Sequence, residues 1–169
     1  MSGLEQRLAF LEARVDAVES VLAIQNLKAR YAQLVDRRYS RGDVVDADRL
    51  AEVADQIGAL FAPDGTWDGG KVLGIATGPA EVAERMRNPT LKFSWHYFLK
   101  PEIEVEGDRA RARWDILSPC TSKDGTPQWM SGFEDDEYVR IDGVWLHQSM
   151  KLTVVFMAPH ETAWQKIFF

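Results

Sequence analysis

The sequence predicts an α+β fold, in which three helices pack on one face of a curved, mainly antiparallel sheet. Before residue 90, apolar residues recur with helical spacing in three stretches; after it, they alternate with polar residues as in strands. The alternating part is interrupted by EGD, KDGT and IDG, which are typical of hairpin turns. Helices followed by a run of antiparallel strands indicate this class of fold.

The first helical stretch begins close to the N-terminus. Six apolar residues at alternating spacings of four and three form a heptad stripe: Leu4, Leu8, Leu11, Val15, Val18 and Leu22. The stripe predicts that residues 1–20 form a helical extension, which docks on the chain's own body or on a neighbouring subunit. The helical pattern continues into the main domain, predicted at residues 21–158, and residues 159–169 form a tail.

Two shorter helices are predicted after the first. DADRLAEVADQIGALF, at residues 46–61, has Leu50, Val53, Ile57 and either Leu60 or Phe61 on its inward face. TGPAEVAERMRN, at residues 77–88, begins with the cap and first-turn residues of a helix. Between them, APDGTWDGG supplies turn residues around a short strand.

Composition and charge limit the class of protein. The chain is 46% hydrophobic and 27% charged, as globular proteins are, and it has one cysteine, which excludes an internal disulfide and fits a reducing compartment. Its net charge of −6 argues against nucleic acid or an anionic membrane as the main partner, because both require a positive surface. The N-terminus lacks the apolar run of a signal peptide, and no segment is apolar over the length of a membrane span. We therefore expect a cytoplasmic enzyme or a small-molecule-binding protein.

A single imidazole lies within an otherwise apolar stretch. His96 is in the middle of FSWHYFL, which predicts a core strand, and a buried imidazole costs free energy unless it is hydrogen-bonded. A carboxylate partner fixes the tautomer and favours the protonated ring, so that such a pair is a suitable general base. The chain has 26 acidic residues, and spacing does not choose among them. The alternative is a core histidine bonded to a backbone carbonyl.

Four stretches resemble the SnoaL-like branch of the nuclear-transport-factor-like superfamily: RYAQLVD, LFAPDGTWDG, HYFLKPEIEVEGDRARAR and GFEDDEYVRIDGVWLHQSMKL. This superfamily includes polyketide cyclases, scytalone dehydratase, ketosteroid isomerase, a hexachlorocyclohexane dehydrochlorinase and the bile-acid 7α-dehydratase. The resemblance implies a cone-shaped α+β barrel on a mixed sheet, with an apolar pocket at its mouth. It also implies a cofactor-independent lyase, of the dehydratase or dehydrohalogenase type, or an isomerase. The implied substrate is a small hydrophobic ring compound of the steroid, terpenoid or aromatic polyketide class.

The resemblance also implies the catalytic residues. Asp36 and His96 match the Asp–His pair of the lyases, and Tyr31 matches a pocket tyrosine of the bile-acid enzyme. In this reading, His96 removes a proton from carbon and Asp36 orients it, while Tyr31 donates a hydrogen bond to a leaving or carbonyl oxygen. Helical spacing alone places Asp36 outside the apolar arc of its helix, facing solvent.

Four further side chains are candidates for substrate binding: Trp67, Glu134, Trp114 and Trp129. Trp67 suits a pocket wall or the core, whereas Trp114 and Trp129 suit the core better. Of the three consecutive acids at 134–136, we expect at least two to face water. The arginines at 109, 111 and 113 alternate with apolar residues, which predicts a solvated strand face. The spacing of the three histidines fits no metal site, and the sequence has neither a glycine-rich phosphate loop nor a nucleotide-binding fingerprint, so neither a metal nor a cofactor is predicted.

Two non-catalytic alternatives share the predicted fold. One is a small-molecule-binding protein, and the other is an accessory subunit like the β subunits of ring-hydroxylating dioxygenases. In each case we expect a homo-oligomer, because the heptad stripe and the open face of a curved sheet need cover. The resemblance favours a trimer over a dimer.

Overall fold

The computed structural model describes residues 3–161, and it contains three long helices and a single helical turn. The helices are α1 (Gly3–Asp36), α2 (Ala47–Gly58), the single turn α3 (Gly70–Leu73) and α4 (Gly78–Arg87). Helices α2 and α4 pack against each other, and α1 crosses the sheet. The Asp46 side chain caps α2 by accepting the backbone N–H of Arg49 at 3.0 Å.

The strands form one seven-stranded sheet and one small hairpin. The hairpin pairs β1 (Tyr39–Ser40) with β2 (Asp43–Val44). The sheet contains β3 (Phe61–Asp68), β4 (Ile75–Thr77), β5 (Phe93–Ser94), β6 (Tyr97–Glu106), β7 (Arg109–Thr121), β8 (Pro127–Ile141) and β9 (Val144–Pro159). Its order is β4-β3-β9-β8-β7-β5, with β6 also beside β7. Among the described pairs, β3 and β9 are parallel and the others antiparallel.

The sheet curves around the helices without closing. Two register shifts in the pairing of β8 with β9, at Ser131/Gly132 and Glu137/Tyr138, mark irregularities of the kind that bend long strands. At Gly132 a Cβ would lie 2.1 Å from the Thr153 carbonyl oxygen, so that only glycine permits this close approach. The predicted α+β architecture, three helices on a curved and mainly antiparallel mixed sheet, is confirmed.

The core lies between the concave face of the sheet and the helices. From α1 and α2 it receives Ile24, Leu34, Val53 and Ile57, which are at most 3% exposed. The heptad stripe is outside this core. Its six residues are 54–78% exposed, so that the stripe covers no part of the chain's own body. The predicted C-terminal tail falls almost entirely on residues 162–169, which lie outside the described part of the chain.

The stretch around His96 is not the core strand that its composition predicts. Strand β5 ends at Ser94 and β6 begins at Tyr97, so His96 lies in a two-residue break. Side chains alternate here: Trp95 and Tyr97 are 44% and 48% exposed, whereas Ser94, His96 and Phe98 are buried or half-buried. The apolar composition misleads because this edge of the sheet has one face in solvent.

Candidate active site

Asp36 and His96 are in direct contact. Asp36 is the last residue of α1, and its Oδ1 accepts from His96 Nδ1 at 2.7 Å and from the His96 backbone N–H at 3.0 Å. Asp36 is 6% exposed, although helical spacing predicts that it faces solvent. The spacing fails here because the β5–β6 break covers the helix end, where Leu34, Val35 and Asp36 are all buried. The two bonds fix both the backbone and the ring of His96.

The hydrogen bonds of His96 assign its tautomer. Because Asp36 is an acceptor, Nδ1 carries the proton in this contact, and in the neutral ring the lone pair is then on Nε2. Nε2 lies 3.3 Å from Ser94 Oγ, which itself lies 2.9 Å from Ser118 Oγ. The Phe98 ring stacks on the imidazole with 6.3 Å between the ring centroids. The ring is therefore held on several sides, with its basic nitrogen free of the carboxylate.

His96 lines a cavity of about 110 Å³ between α1, α4 and the concave face of the sheet. The polar side chains of its wall include Tyr31, Arg38, Arg85, Ser94, His96 and Glu134, and its apolar side chains include Trp67, Met86, Ile116, Met130 and Leu152. An engineered apolar cavity of about 150 Å³ accommodates benzene. The described cavity is smaller than this, so its volume matches at most one small ring.

Tyr31 presents a hydroxyl to the same cavity. Its oxygen accepts the Trp67 indole N–H at 3.1 Å, which leaves its own proton free to be donated. Burial, together with the nearby carboxylate of Glu134, raises the pKa of Tyr31, so that the phenol stays protonated. Tyr31, the predicted hydrogen-bond donor, and Trp67, a predicted wall residue, are therefore hydrogen-bonded to each other in the cavity wall.

A buried lysine holds two carboxylates behind the cavity. The Lys28 ammonium donates to Glu134 Oε2 and, at 2.7 Å, to Asp136 Oδ2. Burial raises the pKa of Glu134 to about 7 and also raises that of Asp136, while Lys28 opposes both shifts. Two carboxylates around one ammonium leave an excess negative charge inside the protein, and binding one proton removes it. Asp136 also accepts the Tyr138 hydroxyl at 2.7 Å, so Glu134 is the less stabilised anion and takes the proton.

The expectation that at least two of the acids at 134–136 face water is wrong. Glu134 and Asp136 are 4% and 2% exposed, because the two-residue period of β8 puts both on the inner face with Tyr138. Their partner Lys28 follows Ile24 by four residues, a spacing that places it on the buried face of α1. This spacing was the signal that could have identified Lys28.

Two candidate residues lie away from the cavity. Trp114 is 4% exposed in the core, and its indole N–H donates to the Tyr138 hydroxyl at 3.1 Å. The Trp129 indole N–H donates to His160 Nδ1 at 2.9 Å near the start of β8. Neither tryptophan lines the cavity that holds His96. Within residues 3–161, no three His, Cys, Asp or Glu side chains are grouped to hold a metal ion.

The sequence-based predictions did not include two arginines that line the cavity. Arg85 follows the buried Val82 by three residues within α4, and this helical spacing could have identified it. Arg38 lies two residues beyond the end of α1, where helical spacing no longer applies. Its neighbour Arg37 is exposed.

The sequence profile of the SnoaL-like domain family matches residues 16–151. A hexachlorocyclohexane dehydrochlorinase (LinA-type3) from Novosphingobium barchaimii is similar in structure, with a TM-score of 0.69 and 21% identity over 84% of this chain and 90% of that chain. A scytalone dehydratase-like protein from Novosphingobium aromaticivorans gives 0.67 and 18% over 85% and 89%. An NTF2-like protein with a cystatin-like fold, from the same organism, gives 0.69 and 23% over 88% and 90%. At these identities the likeness shows the fold.

In the described part of the chain, no helix has the length and apolarity needed to cross a membrane.

Proposed function

The chain belongs to the SnoaL-like domain family, and from this premise we propose that it is a cofactor-independent lyase, of the dehydratase or dehydrohalogenase type, or an isomerase. Proteins of this fold include lyases, as the dehydrochlorinase shows. One observation carries the proposal for this chain. Asp36 and His96 are joined at 2.7 Å, with the basic nitrogen of His96 free of the carboxylate and His96 in the wall of a cavity.

The first chemical step is removal of a proton from carbon. His96 Nε2 accepts a proton from a carbon next to an activating group, and the ring becomes an imidazolium. Asp36 holds the ring in place and stabilises its positive charge without taking the proton. A positioned base of this kind typically contributes about 10²–10⁴-fold to the rate. Orientation of the substrate and stabilisation of the developing charge supply the remainder.

The second step is departure of the leaving group. In a dehydration, the carbon–oxygen bond breaks as the double bond forms, and the leaving hydroxyl takes the proton of Glu134 and departs as water. Glu134 is suited to this task because its pKa of about 7 keeps a large protonated fraction at neutral pH. Tyr31 donates a hydrogen bond to the leaving or carbonyl oxygen. A halide leaves as an anion and needs no proton from Glu134.

The volume of the cavity favours a substrate that places one ring beside His96. Of the expected classes, a monocyclic aromatic compound comes nearest to the cavity volume of about 110 Å³, whereas terpenoids and steroids are larger. The surrounding apolar side chains, among them Met86, Met130 and Leu152, suit a hydrophobic ring.

The test uses two substitutions, His96→Ala and Asp36→Asn, with His160→Ala as a control at an exposed imidazole. Hydroxylated and halogenated monocyclic compounds with an acidic C–H are screened for release of water or halide and for exchange of that hydrogen in D₂O. We expect each site variant to lose about 10²–10⁴-fold of the wild-type rate while keeping its circular dichroism spectrum. The control keeps its rate. Full activity in both site variants would contradict the mechanism.

A non-catalytic binding protein is the second candidate function. The observation in its favour is the apolar part of the cavity lining, among it Met86, Ile116 and Met130, which suits a bound ring without any chemical step. This candidate predicts that ring compounds bind without turnover and without hydrogen exchange. If so, His96→Ala changes neither the affinity for ring compounds nor the absence of turnover and hydrogen exchange.

A further inference from the structure

We propose that the substrate carries an anionic group, a carboxylate or a comparable oxyanion, which binds to Arg38 and Arg85 in the cavity wall. This inference rests on the proposed function in one respect, that the cavity holding His96 is the substrate site. It adds the chemical class of the substrate, which the Asp36–His96 contact leaves open.

Arg38 is a buried cation with unused donors. It is 8% exposed, and no carboxylate of the described residues lies within 4.0 Å of it. Its Nε donates to the Val35 carbonyl at 3.0 Å, and its Nη1 lies 3.4 Å from both the carbonyl oxygen and the sulfur of Met86. Its Nη2 makes no hydrogen bond to the described residues, although a guanidinium carries five N–H donors. Part of the Arg38 guanidinium therefore remains available to hydrogen-bond a ligand in the cavity that Arg38 lines.

Arg85 is the second cation of the wall. Its guanidinium lies over the Trp67 ring, 5.7 Å from the centroid, and its Nη1 donates to the Asn88 carbonyl at 2.9 Å. Its Nε is buried and has no partner among the described residues. It forms no ion pair with a described carboxylate, so that its charge, like that of Arg38, has no counterion in the part of the chain that the structure describes.

The two guanidinium groups line the same cavity, together with Tyr39. The Arg38 guanidinium lies 5.4 Å from the centroid of the Tyr39 ring. The nearby acids are engaged elsewhere, since Glu134, the carboxylate among the described lining residues, accepts from Lys28, and Asp36 accepts from His96. An anion on the ligand is therefore the missing partner of these two cations.

The absence of a counterion is unusual for an arginine of this chain that is shielded from solvent. The other described arginines without a described carboxylate partner, at 7, 14, 30, 37, 41 and 109, are exposed. Acids outnumber arginines and lysines by 26 to 20, and the arginines at 87, 113 and 140 each pair with a carboxylate. Removing a charge from water is costly unless it is paired and hydrogen-bonded. A carboxylate offers the geometry that an arginine fork binds best, through two parallel hydrogen bonds.

The competing explanation for Arg38 is structural. Its bonds to the Val35 and Met86 carbonyls join the last turns of α1 and α4, where a cation is favourable. This role predicts a loss of stability on substitution. It predicts no preference for an anionic ligand, and it does not involve Arg85.

The experiment measures the binding of matched ligand pairs. Benzoate and benzamide, and likewise phenylacetate and phenylacetamide, are titrated into wild type, Arg38→Gln, Arg85→Gln, Arg37→Gln and His96→Ala, with chemical shifts or tryptophan fluorescence as readout. Arg37 is the exposed neighbour of Arg38 and provides the matched control. We expect wild type to bind each carboxylate at least about tenfold more tightly than its amide, and each of the two cavity variants to lose most of that ratio. Arg37→Gln keeps it.

Equal affinities within the pairs, or no binding of either carboxylate to wild type, would overturn the inference without use of any variant. A preference that disappears in His96→Ala but survives in Arg85→Gln would overturn it as well, because the imidazolium would then be the anion site. If Arg38→Gln does not fold, Arg85→Gln and the wild-type ratio still decide. Because the readout is binding, failure of the lyase proposal leaves this result unchanged, and an active lyase without the preference removes only this inference.

Discussion

At the scale of single residues, the Lys28–Glu134–Asp136 cluster makes stability depend on pH. The folded state raises the pKa of Glu134 from 4.5 to about 7, so the stabilisation from its proton is complete below pH 4.5 and is lost as pH rises through about 7. We expect Glu134→Gln, which is neutral at every pH, to lose this dependence. Relative to the variant, wild type should lose about 1–3 kcal/mol between pH 4.5 and 8.

Urea unfolding of both proteins at pH 4.5, 6, 7 and 8 measures this difference. Glu137→Gln, a substitution at an outward-facing position of the same strand, is the control for removal of a charge. A wild-type-minus-variant difference that stays constant over this range would show that Glu134 does not exchange a proton on folding.

His147 is a second buried residue whose surroundings predict an effect of substitution on stability. It is 0% exposed among the rings of Tyr31, Phe61 and Tyr138, and neither ring nitrogen has a partner among the described residues. A buried polar group without a hydrogen bond costs about 1–3 kcal/mol. We expect His147→Leu to stabilise the protein by about 1 kcal/mol at pH 7.5, measured by urea unfolding.

The advantage of His147→Leu should increase on acidification. Burial lowers the pKa of His147 well below 6.5, so the stability that depends on its neutral form is present above pH 6.5 and is lost as pH falls below that value. The gap between variant and wild type should therefore widen by about 1–2 kcal/mol between pH 7.5 and 5. His160→Leu, at an exposed imidazole, should show no such widening. A variant less stable than wild type at both pH values would indicate that packing around the imidazole outweighs its missing hydrogen bonds.

At the scale of elements, the cavity depends on the close approach of α2 and α4. A Cβ at Gly58 would lie 2.4 Å from the Pro79 carbonyl oxygen and 3.1 Å from the Ala83 Cβ, so α2 reaches α4 only through a glycine. Helix α4 carries Arg85 and Met86 into the cavity wall. We expect Gly58→Ala to destabilise the fold by about 1–3 kcal/mol, measured by thermal unfolding. Gly3→Ala, where nothing lies within 4 Å, is the matched control, and an equal effect of both substitutions would contradict the packing argument.

The sequence predicts elements better than it predicts their ends. The helical and alternating periods identify the three long helices and the antiparallel strands, because period follows directly from which face is buried. The second helix ends at Gly58 instead of residue 61, since Phe61 begins β3 and packs in the core as a strand residue. The apolar composition does not predict the break at His96, because the break exists only where the strand edge meets the end of α1.

The candidate site is predicted unevenly for the same reason. Period predicts which side chains turn inward, and it would have placed Lys28 with the core and Glu134 with Asp136 on one face. It does not predict contacts between distant elements. The pairing of Asp36 with His96, 60 residues apart, came from the resemblance, and the spacing of α1 argued against it. The same limit applies to the four side chains predicted to bind substrate. Only Trp67 and Glu134 line the cavity, because they lie where the strands meet α1 and α4.

At the scale of the whole molecule, the described chain leaves a large apolar surface uncovered. The heptad stripe lies on a segment of α1 that projects from the body, and it is held at its base where Arg140 donates to Asp16 at 2.6 Å and contacts Ser20. On β6 and β9, five apolar side chains are 45–65% exposed: Tyr97, Leu99, Val154, Val155 and Met157. Monomeric proteins rarely expose contiguous apolar surfaces of this kind. Another copy of the same chain offers the same stripe, and heptad stripes bury one another.

We therefore expect a homo-oligomer held in part by the stripe, with a trimer favoured over a dimer by the resemblance to the lyases. Light scattering should give a mass near three times the 19.2 kDa of one chain. The double substitution Leu11→Glu and Val15→Glu places charges on the stripe and should reduce the mass to that of smaller species. It should leave the circular dichroism and the Asp36–His96 site intact, because the two residues, 55% and 54% exposed, are outside the core. The same charge change off the stripe, Gln6→Glu with Ala13→Glu, is the control. A wild-type chain that is monomeric at all concentrations, or an oligomer that both double variants leave unchanged, would show that the stripe has another role.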